Sequence, residues 1–358
     1  MHRGPAVRLV VLPLLVLAVV VSVAWWASGR DADRRAPLAS ALDALPARTQ
    51  VAGFTDWAAI RAAFSLGDAG SASDRAVLSD DASLRDLTSR SVLGQSIEQM
   101  DGLYGWSPAD LDWEAYGQSS SGSAMVASLA GSVSPDAVVA GLRALGYMDS
   151  DGVWTLDEAG SGKVGPALAS VLANVAVLDH ERLVIATDRP SYARTVMATV
   201  RGGASLLSVR PAADVARELA GSDTALLQEA GFACSATSLE GEDDEVRRQA
   251  DAAVARAGRL RRPAFAGRGV VEGRPEQSIS FVSSFGSPAV AAEQAHVRRA
   301  LARGPLIGGA GRIEDSLTLR EAGSSGSTTA LRFALDPERG SWMAGDSPLL
   351  FAGCPPAR

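Results

Sequence analysis

The sequence predicts an α+β protein, with an N-terminal transmembrane helix followed by an extracytoplasmic body built on a largely antiparallel sheet. Three observations predict this architecture. An uncharged apolar run covers residues 9–27, short strand patterns alternate with amphipathic helix patterns after it, and two stretches near 124–146 and 279–304 resemble one another. The chain has 358 residues, of which 47% are hydrophobic and 21% are charged, so it can form a sizeable core.

The apolar run has the features of a membrane anchor. A helix of its length spans about 28 Å, close to the thickness of the bilayer's hydrocarbon region. Arg3 and Arg8 precede the run, while Trp25 and Trp26 end it. Positive charge stays in the cytoplasm and tryptophan favours the membrane interface, so we expect a cytoplasmic N-terminus and an exported C-terminal body. The lipid bilayer is therefore a predicted partner of residues 9–27.

A cleaved signal peptide is the alternative interpretation, because Ser22 and Ala24 give a small-x-small cleavage pattern. We favour an uncleaved anchor, since Trp25 would become the new terminus and the run is longer than a usual signal-peptide core. Both interpretations export the later residues. The predicted organisation is a cytoplasmic tail (1–8), an anchor (9–27), a polar linker (28–36) and an extracytoplasmic domain (37–358), with two halves near 37–200 and 201–358.

Helices and strands alternate through the first half. Thr55 or Asp56 is a candidate helix cap, and Ser134-Pro135 opens a helix that ends at Gly146. The predicted helices cover 36–44, 56–64, 83–104 (interrupted near 94), 135–145, 166–172, 190–200 and 212–219. The predicted strands cover 49–54, 123–129, 153–156, 175–178 and 183–187.

The second half follows a similar series. A charged amphipathic helix is predicted over 242–257, strands over 269–271 and 278–284, a helix from Ser287-Pro288 to 302, and a hairpin formed by 317–320 and 328–335. The Ser-Pro pairs at 134 and 287 each follow a strand and open an alanine-rich helix. Two duplicated strand-helix-strand halves would explain this likeness, and chance similarity of alanine-rich helices is the alternative.

Several of these features together resemble exported proteins of unknown function from high-GC Gram-positive bacteria. The matching residues are Leu45-Pro46, the strand and cap at 51–56, the strand-helix unit at 124–146 and the strand at 183–188. The resemblance implies a location in the cell envelope. It transfers no functional residue.

Charge and motifs exclude several function classes. The net charge of −7 disfavours nucleic acid as a partner, because a polyanion repels an acidic body. The segment Gly160–Lys163 lacks the spacing of a phosphate-binding loop, since Asp157 stands where glycine is required, so we interpret it as an ordinary loop. No motif predicts a catalytic residue, a metal site or a cofactor.

Cys234 and Cys354 are the only cysteines. An even number of cysteines in an exported protein favours a disulfide. We therefore predict a bond between them that ties the C-terminal segment to the body, with two unrelated buried thiols as the alternative.

An aromatic cluster is the candidate ligand-binding site. Tyr104, Trp106, Trp113 and Tyr116 lie close together in sequence, with acidic residues between them. Exposed aromatic rings beside carboxylates could stack on the sugars of a cell-wall glycan. The same rings could instead form a local core.

The sequence favours a membrane-tethered binding or scaffold protein of the cell envelope that is not an enzyme, with a cell-wall glycan or another envelope protein as its partner. The alternative is an envelope-acting hydrolase. It would use a pair of carboxylates from Asp101, Asp110, Asp112 and Glu114.

Overall fold

A computed structural model describes residues 37–67, 70–239, 242–273, 276–336, 342–343 and 349–355. No helix in these ranges is long and apolar enough to cross a membrane. The anchor predicted at 9–27 lies outside the described residues, as do the predicted tail and linker.

A mixed body of helices and antiparallel strands is present, as the sequence predicts. The strands are β1 (Val51–Thr55), β2 (Leu111–Ser119), β3 (Gly122–Leu129), β4 (Met148–Ser150), β5 (Val153–Thr155), β6 (Asn174–Leu178), β7 (Leu183–Thr187), β8 (Thr224–Glu229), β9 (Phe265–Val271), β10 (Gln277–Ser284), β11 (Leu317–Ser325) and β12 (Thr328–Leu335). All of them belong to one 12-stranded sheet in the order β11-β12-β10-β9-β8-β1-β2-β3-β7-β6-β5-β4.

The helices connect and cover these strands. They are α1 (37–43), α2 (Trp57–Ala63), α3 (Ala72–Ala76), α4 (Ala82–Leu84), α5 (Ile97–Tyr104), α6 (Pro135–Leu145), α7 (Glu158–Val164), α8 (Pro166–Val171), α9 (Pro190–Val200), α10 (Arg210–Glu218), α11 (Ala230–Ala236), α12 (Asp244–Ala257) and α13 (Pro288–Leu301). Gly160–Lys163 lies in α7, where the Asp157 carboxylate accepts a hydrogen bond from the Gly160 N–H, so the interpretation of this segment as a loop was wrong.

The strand order repeats on the two sides of the β1–β8 pair. On one side the order is β1-β2-β3-β7-β6, with α6 between β3 and the β6–β7 hairpin. On the other side it is β8-β9-β10-β12-β11, with α13 between β10 and the β11–β12 hairpin. Strands β1 and β8 pair antiparallel in the centre, Val51 opposite Gln228 and Thr55 opposite Thr224.

The two Ser-Pro pairs occupy equivalent places in this arrangement. Ser134 caps α6 by accepting a hydrogen bond from the Ala137 N–H, and Ser287 caps α13 by accepting one from the Val290 N–H. A proline follows each serine, where its missing N–H costs no helical hydrogen bond. Each serine therefore fixes where the helix of its half begins.

Helices cover both faces of the sheet and bury a core on each. One core packs α1, α9 and α10 against the sheet, through residues such as Leu42, Val196 and Val215. The opposite core includes residues of α2, α5, α6 and α13, among them Trp57 and Leu301. Burial on both faces explains why a short strand such as β7 is apolar except for Thr187.

Candidate binding groove

The aromatic residues singled out in the sequence lie mainly in the two cores. Tyr104 is 2% exposed and Trp106 1% exposed, their rings are 6.4 Å apart in an edge-to-face contact, and the Tyr104 hydroxyl lies 2.8 Å from that of Tyr147. Trp113, 8% exposed, belongs to the core on the opposite face of the sheet. Tyr116 is half-buried beside a cavity of about 270 Å³. The four rings therefore form no common surface on which a sugar could stack, because their large apolar areas fill the cores.

The acidic residues near these rings hold the backbone and neighbouring side chains in place. Asp101 pairs with Arg75 at 3.2 Å, and Asp110 accepts a hydrogen bond from the Ser107 N–H at 3.0 Å. Glu114 is 1% exposed and accepts hydrogen bonds from Trp57 Nε1 (3.2 Å), the Ser91 hydroxyl (2.5 Å) and the Val92 N–H (2.7 Å). Burial raises the pKa of Glu114, which the hydrogen bonds partly offset. The contacts of Asp101, Asp110 and Glu114 are therefore structural.

A second buried polar group attaches α2 to the sheet. Asp56 caps α2 through the Ala59 N–H at 2.8 Å, and burial raises the pKa of Asp56 to about 6. Arg61 donates from one terminal nitrogen to the carbonyls of Ala109 (2.9 Å) and Leu111 (2.7 Å). These bonds fix α2 at the start of β2 by satisfying backbone groups that would otherwise be buried without partners.

A groove lies in the second half, beneath α12. This groove has a volume of about 480 Å³ and is bounded by α12, the end of α13, the loop after α13 and the segment 349–351. Its lining consists of Gln249, Ala252, Ala253, Arg256, Ala257, Ala300, Leu301, Arg303, Pro305, Leu306, Ile307, Ile313, Leu349, Leu350 and Phe351. Small alanine side chains on α12 and α13 leave space that larger side chains would fill.

Two arginines are the charged residues of this lining. Arg256 lies in the last turn of α12, and Arg303 follows α13; both are exposed. Neither guanidinium forms an ion pair with a described residue, whereas Arg248 on the same helix pairs with Glu245 at 2.6 Å. No described lining residue is acidic. The groove therefore combines an apolar floor with two cationic groups that are available to a ligand.

Residues 349–351 form the outer wall of the groove. A hydrogen bond, ring packing and a disulfide attach this wall to the body. Arg298, fully buried in α13, donates to the Phe351 carbonyl at 2.7 Å. The Phe351 ring packs edge-to-face on Phe281, with the ring centroids 5.1 Å apart. Cys234 and Cys354 form a disulfide with their Cα atoms 5.2 Å apart, in agreement with the sequence. Burial lowers the pKa of Arg298 to about 10, so the side chain stays charged at neutral pH and its hydrogen bonds are charge-assisted.

A second cavity lies on the other side of α12. A cavity of about 570 Å³ lies between α11, α12 and the disulfide, with a mixed lining that includes Arg247, Asp251 and Val254. Ala250 is the one described residue of α12 that is fully buried. Cavities therefore lie on both sides of α12.

The groove was not identified from the sequence. The predicted amphipathic helix over 242–257 did contain its signal, since Ala253 and Ala257 lie one turn apart on the face that lines the groove. The remaining walls come from segments distant in the chain, which no local pattern connects. Among the described residues no group of three His, Cys, Asp or Glu side chains could hold a metal ion.

Comparison with known proteins gives little further information. No family model matches the chain, and no curated protein matches it. Among solved structures it is similar to TP0453 in crystal form I, with 9% sequence identity, coverage of 84% of this chain and 94% of that chain, and a TM-score of 0.39.

Proposed function

We propose that the protein is a membrane-tethered, extracytoplasmic binding protein of the cell envelope, whose ligand occupies the groove beneath α12. The anchor predicted at 9–27 and the cysteine pair support export, because a disulfide persists in oxidising compartments. Two duplicated halves, as the repeated strand order suggests, form the exported body in this proposal.

The groove is the observation that supports binding. Its volume of about 480 Å³ lies within the range of small-molecule sites, and its apolar floor is typical of them. Its described lining contains no serine, cysteine, histidine or carboxylate that could act as a nucleophile or general base. This composition favours holding a ligand over transforming one.

A substitution that fills the groove with a large side chain tests whether a ligand binds there. Ala253 faces the groove from α12, whereas Ala255 on the same helix is exposed and lines neither cavity. We expect Ala253→Trp to reduce the binding of an apolar fluorescent probe at least tenfold, and the matched control Ala255→Trp to leave it unchanged. Equal binding by both variants would show that the probe binds elsewhere.

A reporter fusion tests the topology. An enzyme that is active only outside the cytoplasm, fused after Arg358, should be active in cells, because positive charge at the start of the chain retains the N-terminus inside. Fusion of a reporter that is active only in the cytoplasm should give no signal at that position. The reverse result would remove the envelope location from the proposal.

A further inference from the structure

We propose that the ligand of the α12 groove is a long-chain carboxylic acid, with its single acyl tail on the apolar floor and its carboxylate between Arg256 and Arg303. The proposal rests on the function proposed above and adds the chemical class of the ligand. Three observations support it: the positive charge of the rim (Arg256 and Arg303), the apolar side chains of the floor (Leu301, Ile313 and Leu349) and the volume of the groove.

The charge of the rim differs from that of its surroundings. Several neighbouring arginines are neutralised by acids, as Arg312 is by Glu314 at 3.4 Å and Arg261 by Glu293 at 3.9 Å. Arg256 and Arg303 have no acidic partner among the residues that the structure describes. Two guanidiniums without an acidic partner among the described residues, beside an apolar floor and in a chain of net charge −7, form a local site for an anion.

The shape of the two guanidinium groups favours a carboxylate as the head group of the ligand. A guanidinium presents parallel N–H donors that match the two oxygens of a carboxylate, and hydrogen bonds of this kind are stronger than those between neutral groups. A neutral head group such as an alcohol offers one oxygen and no charge. The rim therefore discriminates by charge between ligands that share the same tail.

The floor favours one aliphatic chain. Leu301, Ile313 and Leu349 line it, and Gln249 is the one uncharged polar side chain among the described lining residues. The volume of about 480 Å³ lies in the lower half of the range for ligand sites, which favours a single tail over the two tails of a phospholipid. Because apolar burial is proportional to the number of methylenes, affinity should depend on tail length.

Photo-crosslinking tests the ligand class with the full chain, held in nanodiscs of neutral phospholipid. The probe is hexadecanoic acid that carries a diazirine and an alkyne tag. Its labelling of the protein is measured against competing hexadecanoic acid, hexadecanol, shorter acids and the anionic phospholipid phosphatidylglycerol. We expect hexadecanoic acid to compete about tenfold or more better than hexadecanol, and each removed methylene to weaken competition about fourfold.

Variants assign these effects to the two arginines. Arg256→Gln and Arg303→Gln should each weaken the acid about tenfold and leave hexadecanol unchanged, because each removes a charge-assisted bond that only the acid makes. Arg201→Gln, at an exposed arginine after α9, is the matched control and should change neither.

The outcomes separate the two proposals. Equal competition by acid and alcohol, with no effect of either arginine variant, would overturn the acid and leave the groove as an apolar binding site. Stronger competition by phosphatidylglycerol than by hexadecanoic acid would overturn the single tail. Labelling that Ala253→Trp does not reduce would overturn both the ligand and the groove.

Discussion

At the scale of single residues, burial of ionisable groups makes stability depend on pH. Asp56 has a pKa of about 6 in the folded protein against an ordinary value of 3.8, because burial disfavours its charged form. The folded state therefore holds this proton to a higher pH than the unfolded chain does. The contribution to stability is fully present below about pH 4 and is lost as the pH rises through 6.

Asp56→Asn should remove this dependence. Asparagine keeps the helix cap but does not ionise, so the free energy of unfolding of the native protein, relative to the variant, should fall by up to about 3 kcal/mol between pH 3.5 and pH 7. Denaturant unfolding of residues 37–358 across this range measures the change. Asp243→Asn, at the exposed cap of α12, is the control and should show a much smaller change because its carboxylate is already in water. If the difference in free energy of unfolding between the native protein and Asp56→Asn stayed constant with pH, Asp56 would not be the source of the pH dependence.

At the scale of elements, the two Ser-Pro helix starts should be energetically equivalent. Ser134→Ala and Ser287→Ala each remove one capping hydrogen bond, so each should lower the free energy of unfolding by about 1 kcal/mol. The two sites are in different halves, so the effects should add in the double variant. Ser191→Ala, at an exposed serine of α9 that caps nothing, should change the stability little. Denaturant midpoints of the native protein and the four variants measure these changes.

The sequence predicts elements well where local chemistry determines them. The capped helices α6 and α13 and the strands β3, β7 and β10 carry their own signals and were predicted close to their observed bounds. Strand β2 was missed because Glu114 occupies a core position, which breaks the alternation of apolar and polar residues. Strand β8 was missed because a short apolar run buried on both faces does not distinguish a strand from a helix.

The groove was harder to predict than the helices and strands, because its walls come from segments that are distant in the chain. The alanine face of α12 is visible in the sequence, but an alanine stripe is also typical of a helix that packs closely on its neighbour. The open space arises because the segment 349–351 stands beside α12 and α13, and that placement depends on Arg298 and on the disulfide. The aromatic residues near 104–116 could bind a sugar by their chemistry, but in the fold Tyr104, Trp106 and Trp113 are buried.

At the scale of the whole molecule, one covalent bond connects α11 to the end of the described chain. Cys234 and Cys354 are separated by 120 residues, and in the chain-entropy model closing a loop of this size stabilises the folded state by about 4–5 kcal/mol. The segment 349–355 contains no helix or strand of its own, so few backbone hydrogen bonds hold it. The disulfide, the Arg298–Phe351 hydrogen bond and the packing of Phe351 on Phe281 therefore attach the groove's outer wall to the body.

Replacing both cysteines should loosen this wall and the groove together. In Cys234→Ser/Cys354→Ser we expect the free energy of unfolding of residues 37–358 to fall by about 2–5 kcal/mol and hydrogen exchange to quicken over 349–355. Binding of the apolar probe should weaken at the same time, because residues 349–351 form one side of the site. Arg298→Met provides an independent comparison: it leaves the disulfide intact but removes the hydrogen bond to Phe351, so it should weaken binding without freeing a thiol. Unchanged exchange over 349–355 in the double serine variant would show that packing of Phe351 on Phe281 is sufficient to hold the wall, and that the disulfide acts on the unfolded chain alone.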